Sequence, residues 1–160
     1  MEREYNRKKA IECSYKWALS RNPNYYNYDN VGGDCTNFIS QCIFAGSGVM
    51  NYTKDFGWYY KNSNNKSPSW TGVEFLYKYL TRTSGSIGPL GRIIDISGLI
   101  PGDIIQLSFN NTVFGHSLFV TKIQNSNIYV STHTEDNIDK PLSLYNYKKI
   151  RFIHIEKIII

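Results

Sequence analysis

The chain has 160 residues, a net charge of +5 and an isoelectric point near 9.0, with 41% hydrophobic and 15% aromatic residues. This length fits one domain with a single core, and the apolar content excludes a disordered chain. The basic residues are scattered rather than clustered, so the charge favours loose attraction to anionic cell-wall polymers and argues against nucleic acid as a partner.

Membrane insertion is not expected, because no apolar run approaches the roughly 18 residues that a spanning helix needs. The first ten residues, MEREYNRKKA, are charged and lack the apolar centre of a signal peptide. We therefore expect a soluble monomer, either cytoplasmic as it stands or a domain of a longer secreted protein. Three cysteines without paired spacing do not indicate a disulfide framework.

Apolar residues recur at helical spacing in three stretches of the first half of the chain. They predict helices over residues 3–20, 35–46 and 70–80, and Gly46 is expected to end the second of them. Between these helices, the stretch NPNYYNYDNVGG and residues 50–70 are rich in turn-forming residues and predict loops.

The second half of the chain changes to runs of β-branched and aromatic residues separated by turn signals. These runs predict strands at DIIQLSF, HSLFVTKI, NIYVSTH and KIRFIHIEKIII. Helices followed by strands predict the α+β class, with N-terminal helices packed on a C-terminal antiparallel sheet. No repeat or linker interrupts the pattern, so residues 1–160 are expected to form one domain.

Cys35 opens the second predicted helix and directly follows a Gly-Gly-Asp run. Free backbone N–H groups and the dipole at a helix N-terminus lower the pKa of a cysteine and can stabilise an oxyanion. The glycines allow a sharp bend and close approach of a substrate, and Asp34 can cap the helix. The pattern favours a partly exposed nucleophile, although a buried core cysteine remains an alternative. Cys13 and Cys42 lack this setting and are predicted to be core residues.

A nucleophilic cysteine needs a base, which is normally a histidine remote in sequence. His116 follows Gly115 and opens an apolar strand, which favours a base that faces the helix terminus across a cleft. His133 ends the next predicted strand. His154 lies inside the last strand, where a structural role is favoured.

The turn between the two central strands decides whether His133 can act on His116. Side chains alternate faces along a strand, so a turn of even length places both rings on one face. His133 can then hold His116 in the correct tautomer. A turn of odd length places the rings on opposite faces and leaves Glu135 or Asp136 as the orienting group. The sequence around residues 124–126 does not fix the length of the turn.

Six segments in this order, GGDCTNFISQC, WYY, SPSWTG, LIPGDIIQL, GHSLFVT and STHTED, resemble the bacterial putative amidase domain. The resemblance covers residues 5–155, and the combination of GGDCTNF with a distant GHS is specific. That family is similar to the NlpC-like and CHAP cell-wall hydrolases, so the resemblance implies a papain-like, NlpC-like fold. It also implies that Cys35 is the nucleophile, His116 the general base and His133 the third catalytic residue, and that Asp103 in the PGD turn is structural.

We therefore predict a cysteine amidase or peptidase that hydrolyses an amide or peptide bond of bacterial peptidoglycan without cofactor or metal. Asp34, Trp58 and Trp70 are candidates for the lining of a substrate cleft, although aromatic residues in such a segment can equally be local packing. Three alternatives remain open: acyl transfer to an amine, a zinc site or a binding module with an inactive site. A zinc site would use Cys35, His116 and His133 as ligands, but no two of these residues are closely spaced in the sequence, as zinc ligands usually are.

Overall fold

The computed structural model describes all 160 residues and contains one large sheet with four α-helices. The helices are α1 (Arg7–Trp17), α2 (Cys35–Ser47), α3 (Pro68–Thr71) and α4 (Val73–Leu80). The strands are β1 (Glu2–Arg3), β2 (Tyr60–Asn62), β3 (Asn65–Lys66), β4 (Gly88–Ile94), β5 (Ile104–Ser108), β6 (His116–Gln124), β7 (Asn127–Thr132), β8 (Asn137–Pro141) and β9 (Lys149–Ile159).

The large sheet has seven strands in the order β1-β9-β5-β6-β7-β8, and β4 pairs with β9 outside that path. Every pairing in it is antiparallel, so the predicted α+β class with an antiparallel C-terminal sheet is confirmed. β2 and β3 form a separate small hairpin. None of the helices has the length and apolar composition needed to cross a bilayer.

Two apolar clusters cover the two faces of the large sheet. On one face, Phe38, Ile39 and Ile43 of α2 pack with Phe119 of β6 and Ile153 of β9. On the other face, a smaller cluster forms around the following residues: Leu118, Val120, Val130 and Leu142. Neighbouring residues of β6 therefore belong to different clusters, as alternation along a strand requires.

The helix boundaries differ from the predicted ones where local geometry overrides the apolar pattern. The first helix begins at Arg7 because residues 2–3 pair with the end of β9, and Asn6 caps it by accepting a hydrogen bond from the backbone N–H of Lys9 at 3.0 Å. α2 begins at Cys35 as predicted but continues past Gly46 to Ser47, and Gly48, whose φ of 70° is left-handed, caps it. The third predicted helix is divided into α3 and α4 at residue 72.

The hairpin of β6 and β7 contains an irregularity that the sequence does not reveal. The turn has two residues, Asn125 and Ser126, both with positive φ, which is the geometry of a tight hairpin turn. Further along, the register shifts between Val120 and Lys122. Thr121 is therefore an extra residue on β6, and this bulge changes which side chains of the two strands share a face.

Candidate functional site

Cys35 is the first residue of α2, and the loop that leads into it is fixed to the end of β7. The backbone N–H of Asp34 donates to Thr134 Oγ1 at 3.0 Å. Gly33 has a φ of 97°, and a Cβ at this position would lie 3.3 Å from the same Thr134 hydroxyl. A residue with a side chain would be strained here, so the glycine before Asp34 allows the loop to reach β7.

The Cys35 thiol is buried, with 7% of the residue exposed. Its Sγ lies 3.8 Å from Thr36 Oγ1. Burial raises the pKa of the Cys35 thiol above its ordinary value, although the donors Ser117 and Thr36 act in the opposite direction. The prediction of a partly exposed thiolate is therefore wrong for this structure, because desolvation outweighs the helix terminus.

His116 is the first residue of β6 and lies at the rim of a cavity of about 510 Å³. The cavity is also lined by Thr134, Glu135, Lys140 and Tyr145. Burial lowers the pKa of His116 to about 4, while the charge of Glu135 raises it and that of Lys140 lowers it further. The ring is thus neutral at neutral pH and able to accept a proton.

The structure brings Cys35 against the start of β6, but it does not join the sulfur to the His116 ring by a hydrogen bond. The start of α2 reaches β6 through Thr36, whose Oγ1 lies 3.0 Å from the Oγ of Ser117, the residue next to His116. Ser117 faces α2, whereas alternation places His116 on the face of Leu118. The one hydrogen-bond contact of the ring joins Nε2 to Thr132 Oγ1 at 3.5 Å.

His133 does not reach His116, so the orienting role predicted for it requires correction. The His133 ring is fully buried and stacks on Phe38, with centroids 4.1 Å apart. Its Nδ1 lies 2.5 Å from Asp34 Oδ2, and its Nε2 lies 2.6 Å from the carbonyl oxygen of Trp17. Both ring nitrogens are thus occupied by groups other than His116.

The bulge at Thr121 explains why this prediction failed. The turn is even, which by itself would have placed both histidines on one face. The extra residue reverses the alternation beyond it, so that Thr132 shares the face of His116 and His133 faces the helices. Of the two substitutes, Glu135 lines the His116 cavity, whereas Asp136 forms an ion pair with Arg21 at 2.8 Å.

Asp34, Trp58 and Trp70 do not line a cleft, because all three are fully buried. The two indole rings pack against each other, with centroids 4.8 Å apart, within the core of the helix-covered face. The Asp34 carboxylate accepts from the backbone N–H of Tyr28 and from Asn37 Nδ2. Burial favours its neutral form, but the hydrogen bonds from His133, Asn37 and Tyr28 outweigh burial and lower the pKa of Asp34.

Asn37 holds the loop before α2 in place, a role that was not predicted from its sequence context. Its Nδ2 donates to the carbonyl of Tyr26 and to Asp34 Oδ1, and its Oδ1 accepts from Trp70 Nε1. It therefore joins the loop before α2 to α3. The spacing of three residues between Asp34 and Asn37 was the available signal, since such pairs are neighbours on a helix surface.

Cys35, His116 and His133 do not form a ligand set, since no group of three or more His, Cys, Asp or Glu side chains is placed to hold a metal ion. All three cysteines are free thiols. Cys42 is fully buried in the core beside α1, as predicted, and Cys13 is half-buried against the same core.

Comparison with known proteins places this geometry in a family context. The profile of the family described as putative amidase domain matches residues 4–156. The uncharacterized protein YhbB of Bacillus subtilis (strain 168) is 32% identical over 138 residues, covering 84% of this chain and 43% of that protein. The uncharacterized protein YjcM of the same organism is 27% identical over 141 residues, covering 82% of this chain and 31% of that protein. The chain thus spans less than half the length of these relatives, and no solved structure matches it.

Proposed function

Because the chain belongs to the putative amidase domain family, we propose that it hydrolyses an amide or peptide bond with Cys35 as nucleophile and His116 as general base. One observation supports this most strongly. Cys35 is in the first turn of α2, which packs through Thr36 on Ser117, the neighbour of His116, and His116 lines a 510 Å³ cavity. A cavity of this volume is of the size that binds small ligands.

His116 can act as the base through its Nδ1 atom. The Thr132 hydroxyl has one hydrogen and two carbonyl acceptors at 3.0 Å, those of Ser117 and His133. It is therefore an acceptor for His116, which carries its proton on Nε2 and leaves Nδ1 free. The ring does not contact the sulfur in this structure, so the proposal requires the start of β6 and α2 to come closer when substrate binds, since catalytic hydrogen bonds are often long or poorly aligned before binding.

The reaction then follows the course of other cysteine hydrolases. Cys35 transfers its proton to His116 and attacks the carbonyl carbon, and the free N–H groups at the start of α2 stabilise the oxyanion. His116 protonates the leaving amine, and the acyl group remains on the sulfur. Water, activated by the same ring, then releases the acid product and restores the thiol.

We propose cell-wall peptide as the substrate class and a papain-like arrangement of helix and sheet as the structural basis. The motif resemblance to NlpC-like and CHAP hydrolases supports both parts of the proposal. The net charge of +5 favours contact with anionic cell-wall polymers. A monomer that acts without metal or cofactor is sufficient for the chemistry proposed, since all reacting groups belong to one chain.

The test is digestion of purified cell wall and of short peptides, with identification of the released termini by mass spectrometry. Cys35→Ala and His116→Ala should each reduce hydrolysis by about 10³-fold or more. Cys13→Ala is the matched control and should retain activity. Full activity in Cys35→Ala would overturn the proposal. New amide products formed when an amine is added would instead identify an acyltransferase at the same site.

A further inference from the structure

A chain of buried polar side chains runs from β9 to the nucleophile. It starts at Arg151, whose guanidinium lies between the rings of Tyr77 and Phe114, at 3.7 and 4.0 Å from their centroids. Both Nε and Nη2 of Arg151 donate to Gln106 Oε1, at 2.9 and 2.6 Å. An arginine side chain has no hydrogen-bond acceptor, so the atom of the Gln106 amide that faces Arg151 must be the carbonyl oxygen Oε1.

The other end of the Gln106 amide confirms that orientation. Its Nε2 lies 2.9 Å from the carbonyl oxygen of Val73 and 3.2 Å from Ser117 Oγ. A carbonyl oxygen cannot donate, so the atom facing it is the NH₂ group. Gln106 therefore donates one hydrogen to Ser117 Oγ and is itself fully buried.

The hydrogen-bond direction is then set for the two hydroxyls that follow. Ser117 Oγ and Thr36 Oγ1 are 3.0 Å apart, and both side chains are buried. Ser117 already accepts from Gln106, and Thr36 is the one remaining acceptor for its own hydrogen. If Thr36 donated to Ser117 instead, the Ser117 hydrogen would have no partner, which is costly in a buried site.

Thr36 accepts from Ser117, so its own hydrogen is free to point at Cys35 Sγ, 3.8 Å away. A hydroxyl that donates to sulfur stabilises the anion formed when Cys35 loses its proton. The backbone N–H of Ser117 acts in the same direction and lowers the pKa of the Cys35 thiol. The two donors belong to the elements that carry the proposed nucleophile and base.

We propose that Gln106, Ser117 and Thr36 form a one-way hydrogen-bond relay that aims the Thr36 hydroxyl at Cys35 and stabilises its thiolate. The relay rests on the proposed function only in giving Cys35 the role of nucleophile. Thr36, Ser117 and Gln106 are positioning residues in this proposal, and Arg151 anchors the distant end. Hydrogen bonds within such a chain polarise one another, so the direction at one end affects the other.

The test measures the rate of alkylation of Cys35 by iodoacetamide at a fixed mildly alkaline pH, with the labelled peptides quantified by mass spectrometry. Thr36→Val removes the donor and should slow the labelling of Cys35 by about tenfold. Loss of a hydrogen bond to a thiolate raises the pKa of the thiol and lowers the thiolate fraction by a factor of about ten or more. The remaining thiolate is more basic and therefore more nucleophilic, which offsets part of the loss in rate. Thr36→Ser keeps the hydroxyl and should retain the rate of the unmodified protein.

Gln106→Glu tests the direction of the relay. Glutamate keeps the contact with Arg151 but cannot donate to Ser117, so Ser117 donates to it and Thr36 turns towards Ser117. The labelling rate should fall. The added negative charge also disfavours the thiolate directly. The double variant Thr36→Val/Gln106→Glu measures this direct effect of charge alone, because its relay is already interrupted at Thr36. We expect a larger effect of Gln106→Glu in the parent than in the Thr36→Val background, because the two changes interrupt one chain.

Equal effects of Gln106→Glu in both backgrounds, or equal rates in Thr36→Val and Thr36→Ser, would overturn the relay. Melting temperatures of all variants identify any loss of rate that results from unfolding. The labelling experiment does not depend on hydrolysis. A failed relay with an inactive Cys35→Ala variant leaves the proposed function intact, whereas a working relay in a protein without hydrolase activity removes the proposed function alone.

Discussion

At the scale of single residues, two charges of opposite sign act on His116 from the same cavity. Glu135 favours the protonated ring and Lys140 disfavours it, while burial is the larger effect and lowers the pKa of His116 to about 4. Lys140 is held over the ring of Tyr145 at 4.2 Å, which fixes it in the cavity wall. The proposed base is therefore ready to accept a proton over the whole neutral range.

This environment predicts the acid side of the pH profile. A general base works in its neutral form, so kcat/KM should stay level below pH 6.5 and fall as the pH drops through about 4. Lys140→Met removes the cation and should move the fall to higher pH, whereas Glu135→Gln should move it to lower pH. Lys9→Met on α1 is the control and should leave the profile unchanged. A fall near pH 6.5 in the parent would contradict the assignment of His116.

The identity of the candidate residues could be predicted from sequence, but their environments could not. A Gly-Gly-Asp run before Cys35 and a glycine before His116 are local signals of a turn and a strand start. Burial depends on which distant segments cover a residue. The thiol of Cys35 is covered by β6, which is remote in the chain, so its raised pKa had no local sign.

At the scale of elements, His133 joins the end of β7 to α1 and α2. Its two ring nitrogens face a carboxylate and a carbonyl oxygen, and both of these groups only accept hydrogen bonds. The ring thus ties the end of β7 to the loop before α2 through Asp34 and to the end of α1 through Trp17. Arg21 adds to this cluster, with its Nε 3.4 Å from Asp34 Oδ2.

His133→Ala should destabilise the fold by about 3–5 kcal/mol, because it removes a fully buried ring and takes one hydrogen-bond partner from the buried Asp34 carboxylate. Asp34→Asn should lower the free energy of unfolding by less, since the amide can donate to a neutral His133 ring and the number of hydrogen bonds stays the same. Urea unfolding followed by circular dichroism measures both. Asp136→Asn, at the exposed end of the Arg21 cluster, is the control and should change stability by about 0.5 kcal/mol or less. An unchanged unfolding midpoint in His133→Ala would return His133 to the list of catalytic candidates.

The main helices and the strands β5, β6, β7 and β9 were predictable, whereas the other five strands and the register of the central hairpin were not. The helical and strand periodicity of the apolar residues predicted that helices precede strands and that α2 begins at Cys35. A bulge arises from the way two strands pair, and the β-branched run around Thr121 is compatible with a regular or a bulged strand. One inserted residue therefore decided which of Thr132 and His133 faces His116.

At the scale of the whole molecule, the site depends on the docking of the N-terminal helices against the sheet. Asp103, at the turn into β5, is fully buried and connects the two parts. Its carboxylate accepts from Arg7 Nη1 at 2.8 Å, from His154 Nδ1 at 2.9 Å and from the backbone N–H of Ile155 at 3.0 Å. Arg7 also donates to the carbonyl of Ile155, so α1, the turn and β9 are held by one cluster.

Asp103→Ala should therefore lower stability far more than any exposed ion pair does. The change leaves Arg7 and two backbone N–H groups, those of Ile100 and Ile155, without their acceptor, at a cost of about 3–5 kcal/mol. For a chain of this length that loss corresponds to a fall in melting temperature of about 10 °C. Glu156→Gln, which removes a 3.9 Å contact with Arg92 on the surface, should change it by about 1 °C. Calorimetry at neutral pH compares the two variants, and similar melting temperatures for both would mean that the buried cluster does not hold α1 to the sheet.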